Sequence, residues 1–167
     1  SLFDLSVGRR VGSLENLTLS SAWIYDMYPC LAFTGVTGSS RQCVNLINTG
    51  GGSLTGGLKK ASILALVKLT GTNSNFSNIF YESNTTSGNT KFGLLQLASS
   101  NYYDFGVRDT NTGSYYSIST SSAFSGWCTV IGTFDSITDK IILYVNGLYQ
   151  GVNNSAVGPI YAGTVGS

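Results

Sequence analysis

The sequence predicts an all-β fold of antiparallel strands. From Phe124 to Val152 the side chains alternate with the two-residue period of strands that pack on at least one face. Within that stretch, Asn146-Gly147 is a strong hairpin signal, because both central residues of a type I′ turn need a positive φ. The composition agrees, since 42% of the 167 residues are hydrophobic, with 10 Tyr and 8 Phe, which favours a packed sheet protein over a disordered chain.

The elements before that stretch are predicted from shorter patterns. Polar and apolar residues alternate over Glu15–Leu19, which favours an edge strand, and Ala22–Tyr25 continues into the sheet. Ile63–Leu69 is predicted to be a buried strand, because this apolar-rich run is too short to span a bilayer and is interrupted by Lys68. Ile79–Tyr81 forms a further strand between two polar loops.

The C-terminal strands have the clearest boundaries. Val130, Gly132 and Phe134 alternate with their neighbours along one strand, and the residues of Ile141–Val145 alternate along the next. The segment Asp135–Asp139 supplies the turn between them. A third strand follows the Asn-Gly hairpin.

Three short motifs within these elements recur in a known family. Trp127 is followed by the Gly-Thr-Phe-Asp of Gly132–Asp135 and the Leu-Tyr-Val-Asn-Gly of Leu143–Gly147, and Leu31–Gly35 reads Leu-x-Phe-x-Gly. Together they resemble the laminin G-like and pentraxin-like modules of the concanavalin A-like lectin/glucanase superfamily, over roughly Cys30–Gly151. The resemblance implies an antiparallel β-sandwich (jelly roll) of the concanavalin A-like lectin type, with the tryptophan in its core.

Two features depart from that family. The residue after Trp127 is usually His, whereas this chain has Cys128 and contains no His. The family also usually ends with a further strand of Gly-x-Ile/Leu-Asp character, and nothing after Ile160 matches it. We expect one domain over the whole chain, with residues 1–29 as a lead-in and edge strand. The last strand then comes from Phe3–Val11 or from another chain, or the sequence is a piece of a longer one.

Metal and cofactor sites are not expected. Cys30, Cys43 and Cys128 have no Cys-x-x-Cys spacing and no His to complete a zinc set, so they are predicted to be small buried hydrophobic residues. One disulfide plus a free thiol is the alternative for an exported protein. Asp135 and Asp139 could contribute calcium ligands, as in some relatives, but Asp135 is predicted to cap its own turn instead.

The charge content excludes two classes of partner. Only 10% of the residues are charged, and the net charge is +1. Proteins that bind nucleic acid or anionic membranes carry clustered basic residues, which this chain lacks. The sequence therefore predicts neither a nucleic-acid partner nor membrane insertion.

The chain is not expected to be an enzyme. Glucanases of the superfamily need carboxylates that alternate along one strand, whereas Glu15 and Glu82 lie far apart in the sequence. Asp104 and Asp109 are five residues apart, so they would face opposite sides of a shared strand. Without His, no Ser-His or Cys-His nucleophile is available. Sialidase-type chemistry and a site shared with another chain stay open.

Carbohydrate binding is the favoured class of function, since the segment Ser99–Tyr116 concentrates the residue types that it needs. Aromatic faces stack on sugar rings, while amides, carboxylates and arginines bind hydroxyl groups. The candidate carbohydrate-binding residues are Asn101, Tyr102, Asp104, Arg108, Asp109, Asn111 and Tyr115. The alternative is structural: one Tyr of each adjacent pair faces the core, and Asp109–Gly113 forms only a turn.

The sequence as a whole favours a non-enzymatic lectin-like module at a virion surface or in an extracellular setting. Low charge and abundant Gly, Ser, Thr and Asn are typical of an exposed domain of a viral or phage spike, fibre or capsid-associated protein. Its partners would be glycans of a host or neighbouring cell. The alternative is an assembly module without a sugar site, whose unpaired sheet edge contacts neighbouring subunits.

Overall fold

A computed structural model of the chain confirms the all-β prediction, with strands and no helix among the residues that it describes. Those residues are 2–3, 11–17, 23–33, 43–47, 53–69, 77–83, 90–96 and 101–162. Within these ranges no helix is long and apolar enough to cross a membrane. The chain divides into two compact units, Ser1–Gly50 and Gly51–Ser167.

The first unit contains short antiparallel strands in two small sheets. β2 lies between β1 and β5 in one sheet, and β3 pairs with β4 in the other. The strands are β1 (Leu2–Phe3), β2 (Val11–Glu15), β3 (Trp23–Asp26), β4 (Tyr28–Leu31) and β5 (Cys43–Ile47).

The edge strand predicted over Glu15–Leu19 is wrong in position. β2 ends at Glu15, because the next residue, Asn16, has a φ of 52°, in the left-handed region that a continuing strand does not use. Residues 18–19 lie outside the described residues. The strand therefore begins and ends earlier in the chain than predicted.

The β3–β4 hairpin agrees with the sequence in part. β3 confirms the strand predicted over Ala22–Tyr25, from Trp23 onward. The motif Leu31–Gly35 contributes only its first residue, Leu31, to a strand, because β4 ends there. Residues 32–33 lie outside any strand, and residues 34–35 lie outside the described residues. The tight connection between β3 and β4 places Met27 at a φ of 58°.

The second unit is an antiparallel β-sandwich of two four-stranded sheets. The front sheet has the order β10-β9-β8-β7, and the back sheet has the order β13-β12-β11-β6. The front strands are β7 (Ser77–Ser83), β8 (Thr90–Gln96), β9 (Tyr103–Arg108) and β10 (Tyr115–Ser119). The back strands are β6 (Lys60–Leu69), β11 (Gly126–Asp135), β12 (Lys140–Val145) and β13 (Leu148–Asn153).

The apolar core lies between these sheets and draws on alternate residues of both, as the two-residue period predicts. Its buried members are Phe92, Leu94, Tyr103, Phe105, Val107, Cys128, Val130, Phe134, Ile141, Leu143, Val145, Ala156 and Ile160. Tyr103 is in the core and Tyr116 packs against it, so one Tyr of each adjacent pair faces inward, as expected.

Trp127 is not in this core, contrary to what the family resemblance implies. On β11 the buried positions are Cys128, Val130, Gly132 and Phe134, and the two-residue period places the half-buried Trp127 on the opposite face. Cys128 occupies the inward position, as predicted for it. The other two cysteines, which are half-buried thiols, were wrongly predicted to be buried.

The long strand β6 is confirmed, but it is half-buried rather than fully buried. Its burial alternates, so that Ala61, Ile63 and Ala65 pack against the core while Leu64 is 67% exposed. Among the described residues, β6 pairs on one side only, with β11. A strand covered on one face can keep apolar side chains on the other. The apolar run therefore did not distinguish a half-buried strand from a buried one.

The predicted turns of the back sheet are confirmed. Asn146 and Gly147 have φ values of 51° and 77°, so both central residues of the β12–β13 hairpin are left-handed, as a type I′ turn requires. Asp135 caps its own turn, because its Oδ1 accepts a hydrogen bond of 2.8 Å from the Ile137 amide.

The C-terminal segment is held by single backbone bonds rather than by a long strand. Ile160 forms an isolated antiparallel bridge with Asp109, its amide donates to Leu58 O at 2.9 Å, and its carbonyl accepts from Gly57 N at 2.7 Å. Of the residues predicted to supply a last strand, Phe3 lies opposite Val11 in the first unit. The origin of a further strand stays a prediction.

Candidate functional site

The outer face of the front sheet is the surface turned away from the core. On β9, Tyr103, Phe105 and Val107 face the core, so Asp104, Gly106 and Arg108 lie on the outer face. Residues directly opposite them in the ladder share that face. The residues on this face include Tyr81, Lys91, Gly93, Leu95, Asp104, Gly106, Arg108, Tyr115, Ser117 and Ser119.

The strand register sets the neighbours on this face. Tyr115 lies opposite Arg108, and Ser119 lies opposite Asp104. Between these pairs, a single row crosses all four strands and contains Tyr81, Gly93, Gly106 and Ser117. The two glycines leave the middle of the row without side chains.

The ring of Tyr115 occupies part of that space. A Cβ atom on Gly106 would lie 2.7 Å from Tyr115 Cζ, so the ring lies over β9 where Gly106 has no side chain. The Tyr115 hydroxyl donates a long hydrogen bond of 3.5 Å to Asp104 Oδ2. The tyrosine is half-buried.

Asp104 lies beneath a set of hydroxyl groups. It is 5% exposed, and its Oδ1 accepts a hydrogen bond of 2.6 Å from Ser119 Oγ. Burial raises the pKa of the Asp104 carboxyl, against the lowering effect of hydrogen bonds from Ser119, Ser117 and Tyr115. Burial, and next the negative charge of Asp104, raise the pKa of the Tyr115 phenol.

Arg108 braces the end of the front sheet. Its Nε donates to Thr90 O at 3.1 Å, and Nη1 donates to Gly113 O. These bonds connect the start of β8 to the turn between β9 and β10. A guanidinium has five N–H donors, so these two bonds use only part of its donor capacity.

Asp109 and Asn111 lie away from this face, in the turn after β9. Asp109 is fully buried; its Oδ1 accepts from Thr112 N at 2.7 Å and its Oδ2 accepts from Val157 N at 3.2 Å. The exposed Asn111 donates from Nδ2 to Val157 O at 3.1 Å. Both side chains attach the C-terminal segment to the turn.

Asn101 and Tyr102 form a third group, in the loop before β9. Both are half-buried, and the Asn101 carbonyl accepts a hydrogen bond of 3.0 Å from Phe124 N. They precede the N-terminal end of β9, whereas Arg108 is at its C-terminal end. Of the seven predicted residues, the structure thus gathers Asp104, Arg108 and Tyr115.

The sequence reasoning did not select Tyr81, Ser117 or Ser119. The two serines follow from the alternation of β10, since they lie two and four residues after Tyr115. Tyr81, which is 37% exposed, joins the site through the pairing of β7 with β8. No local pattern in the sequence specifies that pairing.

Glu82 has a structural role on the other side of β7. Its Oε1 accepts from Leu54 N at 2.9 Å and from Ser53 Oγ, and its Oε2 accepts from Thr55 N at 3.0 Å and Thr55 Oγ1 at 2.6 Å. The carboxylate therefore holds the loop before β6. In the part of the chain that the structure describes, no three His, Cys, Asp or Glu side chains converge as metal ligands would.

Comparison with protein families identifies the family of this chain. A sequence model described as the concanavalin A-like lectin/glucanases superfamily, of laminin G type, matches residues 44–165. That range covers the whole front sheet and the whole back sheet. A search of curated proteins found no match.

Proposed function

Because the chain belongs to the concanavalin A-like lectin/glucanase superfamily, we propose that it is a non-enzymatic carbohydrate-binding module. Its site is the outer face of the front sheet around Tyr115. The superfamily contains both binding modules and glucanases, so the choice between them depends on the residues of this chain.

One observation supports the proposal above others: the sheet brings an aromatic ring, a carboxylate and a guanidinium together. Tyr115 lies opposite Arg108, and its hydroxyl reaches Asp104. Ser117 and Ser119 add hydroxyl groups on the same face. An accessible aromatic ring beside fixed hydrogen-bonding groups suits a sugar, which has apolar ring faces and a hydroxyl rim.

The carboxylates support binding rather than hydrolysis. A glycosidase needs two carboxyl groups that flank the scissile bond. Asp104 is almost entirely buried beneath hydroxyl groups, and Glu82 is committed to the loop before β6. Asp109 is fully buried and bonded to its own turn.

We place the module on a virion surface or in an extracellular setting, as the attachment domain of a spike, fibre or capsid-associated protein that recognises host glycans. What supports this is composition: low charge and 21 Gly among 167 residues, with abundant Ser, Thr and Asn. Such surfaces interact through hydroxyl and amide groups rather than through a net field.

A glycan array with the purified protein tests the proposal. Selective binding that is lost in folded R108A but retained in Y149A supports a lectin with this site, because Tyr149 is an exposed tyrosine on the back sheet. Y102A separates the loop before β9 from the outer face. Absence of binding at high protein concentration would overturn the proposal.

One edge favours a second candidate, an assembly module without a sugar site. In the described residues, β6 is the outermost strand of the back sheet, with Leu64 and Leu66 67% and 45% exposed. A cleft of about 530 Å³ beside it is lined by apolar residues that include Ile63 and Phe80. Such an edge can accept a strand from a partner.

Sedimentation of the wild type and L64E tests this second candidate. An oligomer that dissociates in L64E supports assembly.

A further inference from the structure

We infer that the outer-face site takes an uncharged sugar residue, stacked on the Tyr115 ring and contacted at its rim by Tyr81, while Asp104 is a positioning residue that acts through Tyr115. This inference rests on the proposed function and specifies its ligand class. Four features of the outer face carry it: the place of the ring, the burial of Asp104, the position of Tyr81 and the few accessible cationic donors.

The first feature is the glycine beneath the aromatic ring. Tyr115 Cζ lies 2.7 Å from where a Cβ on Gly106 would be, so any larger residue at 106 would displace the ring. With one side of the ring against β9, the accessible part is turned away from the sheet. A sugar therefore meets the ring from the solvent side, where its apolar face can stack.

The second feature is the burial of Asp104, which separates its role from direct contact. At 5% exposure the carboxylate has almost no surface for a ligand. It bonds Ser119 at 2.6 Å and Tyr115 at 3.5 Å, both residues of β10. Its effect on a ligand thus passes through the orientation of the phenol.

Tyr81 lies on β7, on the other side of Gly93 and Gly106 from the residues of β10. It shares a row with Gly93, Gly106 and Ser117, so only glycines separate β7 from β10 in this row. Because Tyr81 is 37% exposed, a sugar above Tyr115 would contact it at the edge.

The cationic groups do not suit an anionic ligand. Lys91 is fully buried, so its ammonium offers no surface. Arg108 donates from Nε to Thr90 O and from Nη1 to Gly113 O. Because Nε is already in a hydrogen bond, the side-on bidentate contact with a carboxylate, which needs Nε, cannot form. The three remaining N–H groups, one on Nη1 and two on Nη2, can donate to hydroxyl oxygens, and the Asp104 charge beneath the ring disfavours an anion.

An array of neutral oligosaccharides, each paired with its sialylated counterpart, tests the ligand class. We expect binding of neutral members and loss of binding when a sialic acid covers the same terminal residue. Y81A should weaken binding of the neutral hit by up to about tenfold, the value of one aromatic contact, with Y81F weakened less and Y149A unchanged.

A double-mutant cycle tests the positioning role. If Asp104 acts through the phenol, D104A weakens binding in the wild type but changes the dissociation constant by less than about twofold in a Y115F background. D104N, which keeps an acceptor oxygen, should retain more binding than D104A and covers the case in which D104A does not fold.

The outcomes separate this inference from the proposed function. No binding to any glycan overturns both. Preference for the sialylated members, or full binding by Y81A, overturns the ligand assignment while the lectin function stands. Additive effects of D104A and Y115F overturn the positioning role alone.

Discussion

The ring of Phe105 in the front sheet rests against the α-carbon of Gly132 in the back sheet. A Cβ atom at position 132 would overlap three atoms of that ring. The two sheets therefore approach closely at this point only because residue 132 has no side chain. Phe105 also packs edge-to-face on Phe92, with ring centroids 5.3 Å apart, so the ring has little room to move.

Gly132→Ala should destabilise the protein by about 1–3 kcal/mol, the usual effect of overpacking a core. Urea unfolding followed by tyrosine and tryptophan fluorescence measures it. Gly93→Ala is the matched control, since its Cβ would meet the Thr90 methyl at 3.1 Å, Leu95 at 3.5 Å and the Phe80 carbonyl oxygen at 3.6 Å, with no overlap. Equal losses in both variants would contradict the close approach at Gly132.

Acidification should stabilise the protein through Asp104. Burial raises the folded-state pKa of this carboxyl above its ordinary value, so the charged form is disfavoured in the folded protein. The resulting contribution to stability is fully present below the unfolded pKa and is lost as pH rises through the folded pKa.

The difference in unfolding free energy between wild type and Asp104→Asn isolates that contribution from other carboxyl groups. As pH rises from 3 to 7, wild type should lose stability relative to D104N, because Asn carries no charge over that range. A difference that stays constant with pH, or grows in favour of wild type, would show that the hydroxyl bonds outweigh burial.

Glu82→Gln should destabilise the protein by about 1–3 kcal/mol, because an amide nitrogen would replace an oxygen that accepts hydrogen bonds. Each carboxylate oxygen receives one backbone amide, from Leu54 and Thr55. Hydrogen exchange of those two amides should accelerate in the variant. Asp139→Asn, at a left-handed position that Asn tolerates, is the control and should change little. Unchanged exchange at both amides would contradict the role of Glu82.

Asp109→Ala should loosen the C-terminal segment. It removes the acceptors of Thr112 N and Val157 N, and a lost buried bond of this kind is worth about 1–3 kcal/mol. Limited proteolysis should cut near Val157 faster than in wild type. Asn111→Ala, which removes one exposed bond, should have a smaller effect. If D109A instead abolished glycan binding at full stability, Asp109 would belong to the sugar site.

Part of the site follows from local alternation. The spacing of Asp104 and Asp109 predicted opposite faces for a shared strand, but β9 ends at Arg108, so Asp109 lies in the turn that follows and only Asp104 is on the strand. Alternation along β11 also indicates that Cys128, rather than Trp127, shares a face with Val130. The family resemblance placed Trp127 in the core, whereas the two-residue period of the strand correctly places it on the opposite face from Val130.

Other parts of the site depend on contacts between distant residues. Tyr81 and Tyr115 are brought to one face by three successive strand pairings, whose registers no short segment specifies. Asp109 and Asn111 are bound to a segment near Val157, about which residues 109–111 carry no information. The polar side chains of Ser99–Tyr116 are of similar types in the sequence, but they lie in three different places: the outer face, the turn after β9 and the loop before β9.

By itself the sequence determined the all-β class, the strands of the back sheet and the Asn146–Gly147 hairpin, because backbone φ and the two-residue period are set by neighbouring residues. Only the tertiary structure decided which face of each strand is covered, how long β2 is, and which polar residues meet around Tyr115. Burial and strand register arise from packing between segments far apart in the chain, and a local pattern fits more than one such arrangement.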